Sequence, residues 1–191
     1  MIYRLRTTAL LSLTALSLVS LPAMTAPLQA ATIQGFGTLK FGMAPAEVEA
    51  LEDCSSRNEC LYDILGKNRY FTLGYGPGAG SPDSSTPSGD GVTPATLSYI
   101  DIEMGTYTQE WFLEVFEVLA TQYPLKHQPT DTEQAGFREG ASNELVIGFV
   151  EGSVLLKVVR RPFGNMIIHL IFQDAAHAQA QRDLWDAAAT P

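Results

Sequence analysis

Positive charge is what this sequence has least of. Its 191 residues hold 12 Lys and Arg against 21 Asp and Glu, a formal net charge of -9, with no basic stripe and no interleaving of basic and aromatic residues. Such a surface repels a phosphate backbone, which excludes nucleic acid as a partner. Acidity of this kind keeps an exported protein in solution and is not read as a cation site. Histidine is sparse too: there are three, no two at ligand spacing and none in an HExxH pattern. With only two cysteines beside them, no metal centre and no cofactor is expected. No serine or cysteine stands in a nucleophile-elbow or catalytic-cysteine context, so the chain carries no catalytic signature.

Long apolar runs are missing as well, except at residues 9–21. Arg4 and Arg6 precede that run and Pro22, Ala26, Pro27 and Ala30 follow it, the layout of a secretory signal peptide over residues 1–30. The run is short for a hydrocarbon core of ~30 Å, so cleavage after Ala30 is expected and stable membrane insertion is not. No cysteine follows that site closely, which argues against a lipid-modified N-terminus. The mature chain is read as periplasmic or secreted. Residues 31–191 suit a single domain with a core of its own. Since residues 1–30 carry Arg4, Arg6 and no acid, the remainder keeps 10 basic and 21 acidic residues, net -11.

Cys54 and Cys60 are six apart, and in an oxidising compartment an isolated pair forms a disulfide. A helix through both would hold their α-carbons about 9 Å apart, beyond bridging distance. The bridge therefore requires the first helix to end near Asp53, and it pins the turn behind that helix. A redox role would call for the tighter CxxC spacing.

What is present is a series of short periodic segments. Leu39 and Phe41 alternate with Thr38 and Lys40 as in a half-buried strand, and Gly42 permits a turn. A helix follows, with Pro45 in its first position, Glu47 in its first turn and Val48 and Leu51 on one face; Ala44 is a poor cap. Residues 61–65 read as a short strand or turn, residues 70–75 as a strand. Residues 97–104 form its antiparallel partner, with Ile100, Ile102 and Met104 on one face and Tyr99, Asp101 and Glu103 on the other. Between them, residues 76–95 are a Gly/Ser/Pro-rich insertion too polar to offset the entropy of ordering, expected to be mobile. Asp83 and Asp90 within it lack the alternating oxygen ligands of a calcium loop.

The clearest helix covers residues 108–122. Phe112, Val115, Phe116 and Leu119 form its apolar stripe, Glu110, Glu114 and Glu117 its outer side, and Pro124 its stop. Trp111 lies beside the stripe, at a margin where it packs or serves as an anchor for a partner. Residues 125–141 are turn-rich, with one short strand around Phe137 and His127 exposed. An antiparallel meander follows at residues 145–150, 153–160 and 165–173. In its last strand Met166, Ile168, Leu170 and Phe172 share one face and Ile167, His169 and Ile171 the other, so that strand is central. His169 reads as a hydrogen-bonded sheet histidine. Arg160 and Arg161 are the densest positive spot, available to an acidic helix face or to an anionic ligand. Residues 174–188 make a closing helix with Leu184 and Trp185.

The run Phe41-Gly42-Met43-Ala44-Pro45-Ala46-Glu47-Val48 resembles the opening motif fGM-[ST]-x-x-E-V of small bacterial envelope proteins. Among these are the small lipoprotein of the outer-membrane β-barrel assembly machinery and relatives with the β-lactamase-inhibitor-protein-like fold. The likeness spans eight residues and departs from the motif at Ala44, where a hydroxyl cap is usual. It implies an α+β adaptor fold in the envelope and brings no catalytic residues.

The order strand, helix, two strands, helix, three strands, helix reads as an α+β fold: an antiparallel sheet with helices mainly on one face, in two loosely similar helix-plus-strands halves. The leading functional expectation is an exported non-catalytic binding or adaptor protein with an envelope or periplasmic protein as partner, using Trp111, Arg160 and Arg161. The alternatives are an exported hydrolase, with His169, Asp101 and Glu103 as its best candidates, and a small-molecule-binding or inhibitor-like module.

Overall fold

A strand that is apolar on both sides has to be covered on both sides. In the computed structural model, which describes residues 33–77 and 94–189, the 166–173 strand lies in the middle of an eight-stranded sheet. A small hairpin comes first, β1 (Gly35–Phe36) with β2 (Leu39–Lys40), and then helix α1 (Pro45–Glu49). Strands β3 (Cys54–Ser56), β4 (Glu59–Ile64), β5 (Lys67–Pro77) and β6 (Ala95–Thr106) follow. Next come helix α2 (Gln109–Gln122), strand β7 (Leu125–His127) and helix α3 (Asp131–Glu139). Strands β8 (Glu144–Phe149), β9 (Val154–Arg160) and β10 (Met166–Gln173) and helix α4 (Ala175–Ala189) complete the chain.

The sheet order is β3-β4-β5-β6-β10-β9-β8-β7, with every neighbouring pair antiparallel. Two four-stranded halves, one introduced by α1 and one by α2, thus meet where their last strands β6 and β10 pair. On one face Phe71, Ile102, Leu170, Leu156 and Ile147 lie side by side across five strands and are buried. Val115 and Leu119 of α2, Val48 of α1 and Leu39 of the hairpin close over them in a single core. Fully burying each such side chain contributes about 1.5–3 kcal/mol before entropy is counted.

Helix α4 is the exception, lying on the second face. Gly148, Leu155 and Ile171 alternate with core residues and so point away from them. The Cη2 corner of the Trp185 indole comes up against Gly148, where an added Cβ would stand 2.2 Å from it. Leu155 and Ile171 of the sheet and Ala178 of the helix itself are buried.

Four local expectations are corrected. The strand read across Leu39 and Phe41 is a tight hairpin, because Gly35, at φ 141°, brings its backbone against Leu39 so closely that any Cβ would strike the Leu39 carbonyl at 2.0 Å. Residues 125–141 hold no strand around Phe137; they form β7 and α3. That helix is set by a capping box, Thr130 Oγ1 accepting from Glu133 N at 3.3 Å and Glu133 Oε2 from Thr130 N at 2.7 Å, and is closed by Gly140 at φ 80°. The Cys54–Cys60 disulfide forms, but it joins directly opposed residues of β3 and β4 and pins a strand pair instead of a turn behind the first helix. His127 is covered instead of exposed: its imidazole stacks on the Trp185 indole. Residues 1–30 and most of the 76–95 insertion lie outside the described residues.

Candidate functional site

The second face of the sheet is only partly covered by α4, and across the rest runs a row of paired polar side chains. Strand alternation puts Asp101 and Glu103 of β6, His169 of β10, Lys157 of β9 and Glu144 of β8 on this side, opposite Ile100, Ile102, Leu170 and Leu156. His169 Nδ1 lies 2.8 Å from Asp101 Oδ1, both half-buried. Lys157 Nζ reaches Glu144 Oε2 at 3.3 Å, and Arg161 Nη2 donates to Glu103 Oε2 at 2.7 Å. Beside them the Tyr99 hydroxyl is pushed up to about 12, first by burial and then by the charges of Asp101 and Glu144. A His–Asp pair of this geometry can orient an imidazole as a base. Among the described residues, however, no hydroxyl or thiol is hydrogen-bonded to His169, and no group of three His, Cys, Asp or Glu side chains is placed to hold a metal ion.

Arg160 and Arg161, neighbours in sequence, part company at the end of β9. Arg161 turns to the second face and Glu103. Arg160 turns to the core side, where its guanidinium stands 5.0 Å from the Phe137 ring centroid and Nη2 donates to the Phe137 carbonyl at 2.7 Å. Its Nε–H is buried without an acceptor. Among the described residues neither arginine meets an acidic helix face, one of the two partners their clustering offered.

Trp111 is held, not free. Its indole N–H donates to the Met104 carbonyl at 2.9 Å, and Lys67 and Arg69 of β5 stand over its ring at 4.5 and 5.4 Å. With Thr108 Oγ1 accepting from Trp111 N at 3.1 Å, this residue locks the start of α2 to the sheet.

Two features escaped sequence reasoning. A groove of about 370 Å³ between α2, α3 and β8–β10 is floored by Phe112, Phe137, Val158 and Met166 and edged by Arg138 and Arg160. It depends on α3, whose capping signals are local but whose place against β8 is not. The other is a set of exposed apolar side chains toward one end of the sheet, on turns three strand spacings apart. The register Ile64↔Lys67, Phe71↔Ile102, Ile167↔Thr106 and Met166↔Arg160 brings the β4–β5 and β9–β10 turns to the same end. There Phe163 is 96% exposed and Leu65 43%, and Tyr70, three residues into β5, is 70% exposed.

Comparison with protein-family models, with curated proteins and with solved structures finds no match to this chain. No helix among the described residues is long and apolar enough to cross a membrane.

Proposed function

We propose that this chain is an exported, non-catalytic binding protein of the bacterial periplasm, and that its partner is another envelope protein, gripped at the sheet end that carries Phe163, Leu65 and Tyr70. The observation behind the reading is the exposure of these three side chains toward one end of the sheet. Singly, an exposed apolar side chain is ordinary. Two aromatics and a leucine at one end, flanked by the Arg161–Glu103 ion pair, have the make-up of an interface centre with a polar rim. The signal-peptide pattern of residues 1–30, the disulfide and the envelope-family resemblance of residues 41–48 support the compartment. A partner of complementary charge fits the net -11 of residues 31–191.

The test is affinity capture from the envelope fraction of the source cells with immobilised mature protein. The same partner should be retained in stoichiometric amount by the unaltered protein and by His169→Ala, and lost by Phe163→Ser combined with Tyr70→Ser. Retention by the double variant, or no retained partner at all, overturns the reading.

A second reading, an exported hydrolase, is favoured by one observation, the 2.8 Å His169–Asp101 pair on an open face. It requires His169→Ala to abolish an ester- or amide-cleaving activity while leaving the thermal melt in place. An unchanged rate would dispose of it.

A further inference from the structure

The α2–α3 groove is lined by chemistry that the fold does not use. Phe112, Phe137, Val158 and Met166 give it an apolar floor, and its only formal charges are two guanidiniums, Arg138 and Arg160. Among the described cations Lys126, Lys157 and Arg161 pair with a carboxylate, while Lys67 and Arg69 lie over the Trp111 ring and Lys40 reaches a backbone carbonyl. Arg138 and Arg160 pair with none: among the described residues neither has a carboxylate within ion-pair distance. Arg160 satisfies Nη2 with a backbone carbonyl and leaves its buried Nε–H without an acceptor. A buried guanidinium N–H lacking an acceptor is costly, and a carboxylate is the group whose two oxygens match such a fork. The stacking of Arg160 on the Phe137 ring fixes the cation at the rim of the apolar floor.

We infer that this groove is a binding site for a small amphipathic anion, with a single carboxylate held between Arg138 and Arg160 and an unbranched apolar body laid over Phe112, Phe137 and Val158. The size sets the length of that body. About 370 Å³ is near the lower end for ligand sites and admits on the order of a dozen non-hydrogen atoms at ~30 Å³ each. A medium-chain alkyl carboxylate has that bulk. The inference stands apart from the proposed protein interface, which uses side chains at the sheet end and none of the groove.

Isothermal titration of the mature protein with decanoate is the experiment, run beside decan-1-ol and decyltrimethylammonium as chain-matched neutral and cationic probes. Saturable one-to-one binding of decanoate alone is expected, weakened about tenfold by Arg138→Gln, an exposed residue whose loss leaves the fold intact, and at least as much by Arg160→Met. The Phe163→Ser, Tyr70→Ser double variant should bind decanoate normally, which separates this site from the protein-binding reading. Equal affinity for the alcohol, indifference to both arginine substitutions, or no saturation below about 1 mM would overturn the assignment. So would binding of a short apolar peptide through its free C-terminal carboxylate where decanoate fails, since the groove would then belong to a protein partner.

Discussion

The imidazole of His127 lies flat on the indole of Trp185, ring centroids 4.3 Å apart and planes 6° from parallel, and this contact ties α4 to the edge strand β7. Its Nε2 is buried without a hydrogen bond, and the nearest carboxylate, Glu133 Oε1, stands at 3.7 Å. Burial lowers the His127 pKa from the usual 6.5, with Glu133 working weakly the other way. A base whose folded pKa is depressed is protonated first in the unfolded chain. Its contribution to stability is therefore complete above the unfolded value of 6.5 and is lost as pH falls toward the folded one. Urea midpoints measured from pH 7.5 down to 5 should fall more steeply for the unaltered protein than for His127→Gln, and parallel curves would contradict this account.

Gly148 exists to admit Trp185. A methyl group there would stand 2.2 Å from the ring, so Gly148→Ala should destabilise by about 1–3 kcal/mol through overpacking. Combining it with Trp185→Leu, which opens the space, should cost less than the sum of the two single changes. A double-mutant cycle by urea denaturation measures that coupling.

The disulfide closes a short loop at one edge of the sheet, with Cys60 buried in the core. Replacing both cysteines by serine is expected to lower stability by about 2 kcal/mol, the entropy released to the unfolded chain, with an unchanged far-ultraviolet circular dichroism spectrum. Loss of the spectrum would show that the edge strands nucleate the whole sheet.

Tyr99 lies over Gly74, its hydroxyl held neutral up to about 12 by burial and by Asp101 and Glu144. Because the folded value is raised above the usual 10, the stability it contributes is whole below pH 10 and drains away between pH 10 and about 12. In an ultraviolet titration one tyrosine should ionise after the rest, and Tyr99→Phe should remove that late step. A titration curve unaltered by the substitution would refute the assignment.

Helix α2 and the β8–β10 meander are legible in the sequence because their information is local. Phe112, Val115, Phe116 and Leu119 repeat at the helical period, Thr108 caps them, and apolar residues on both faces of β10 mark a central strand. Helix α3 has only Phe137 buried and includes Gly136, so its apolar periodicity is weak. Its Thr130–Glu133 capping box and Gly140 were the signals that could have found it. The His169–Asp101 pair could be anticipated only as a histidine hydrogen-bonded on a sheet face, since which acid stands opposite depends on the β6–β10 register, which shifts between Ile168 and His169.

By itself the sequence determined the fold class, the antiparallel pairing of neighbouring strands, the cysteine bridge and the acidity of the surface, all of which follow from periodicity, turn residues and composition over short stretches. Only the tertiary structure decided that β6 and β10 join the two halves and that α4 crosses to the second face over Gly148. It also decided that Arg160 and Arg161 face opposite ways, and that Phe163 and Leu65 emerge at the same end of the sheet. Those facts rest on contacts between residues far apart in the chain. Such contacts are set by which apolar faces can be buried against one another at once, a condition on the whole molecule that no single segment carries.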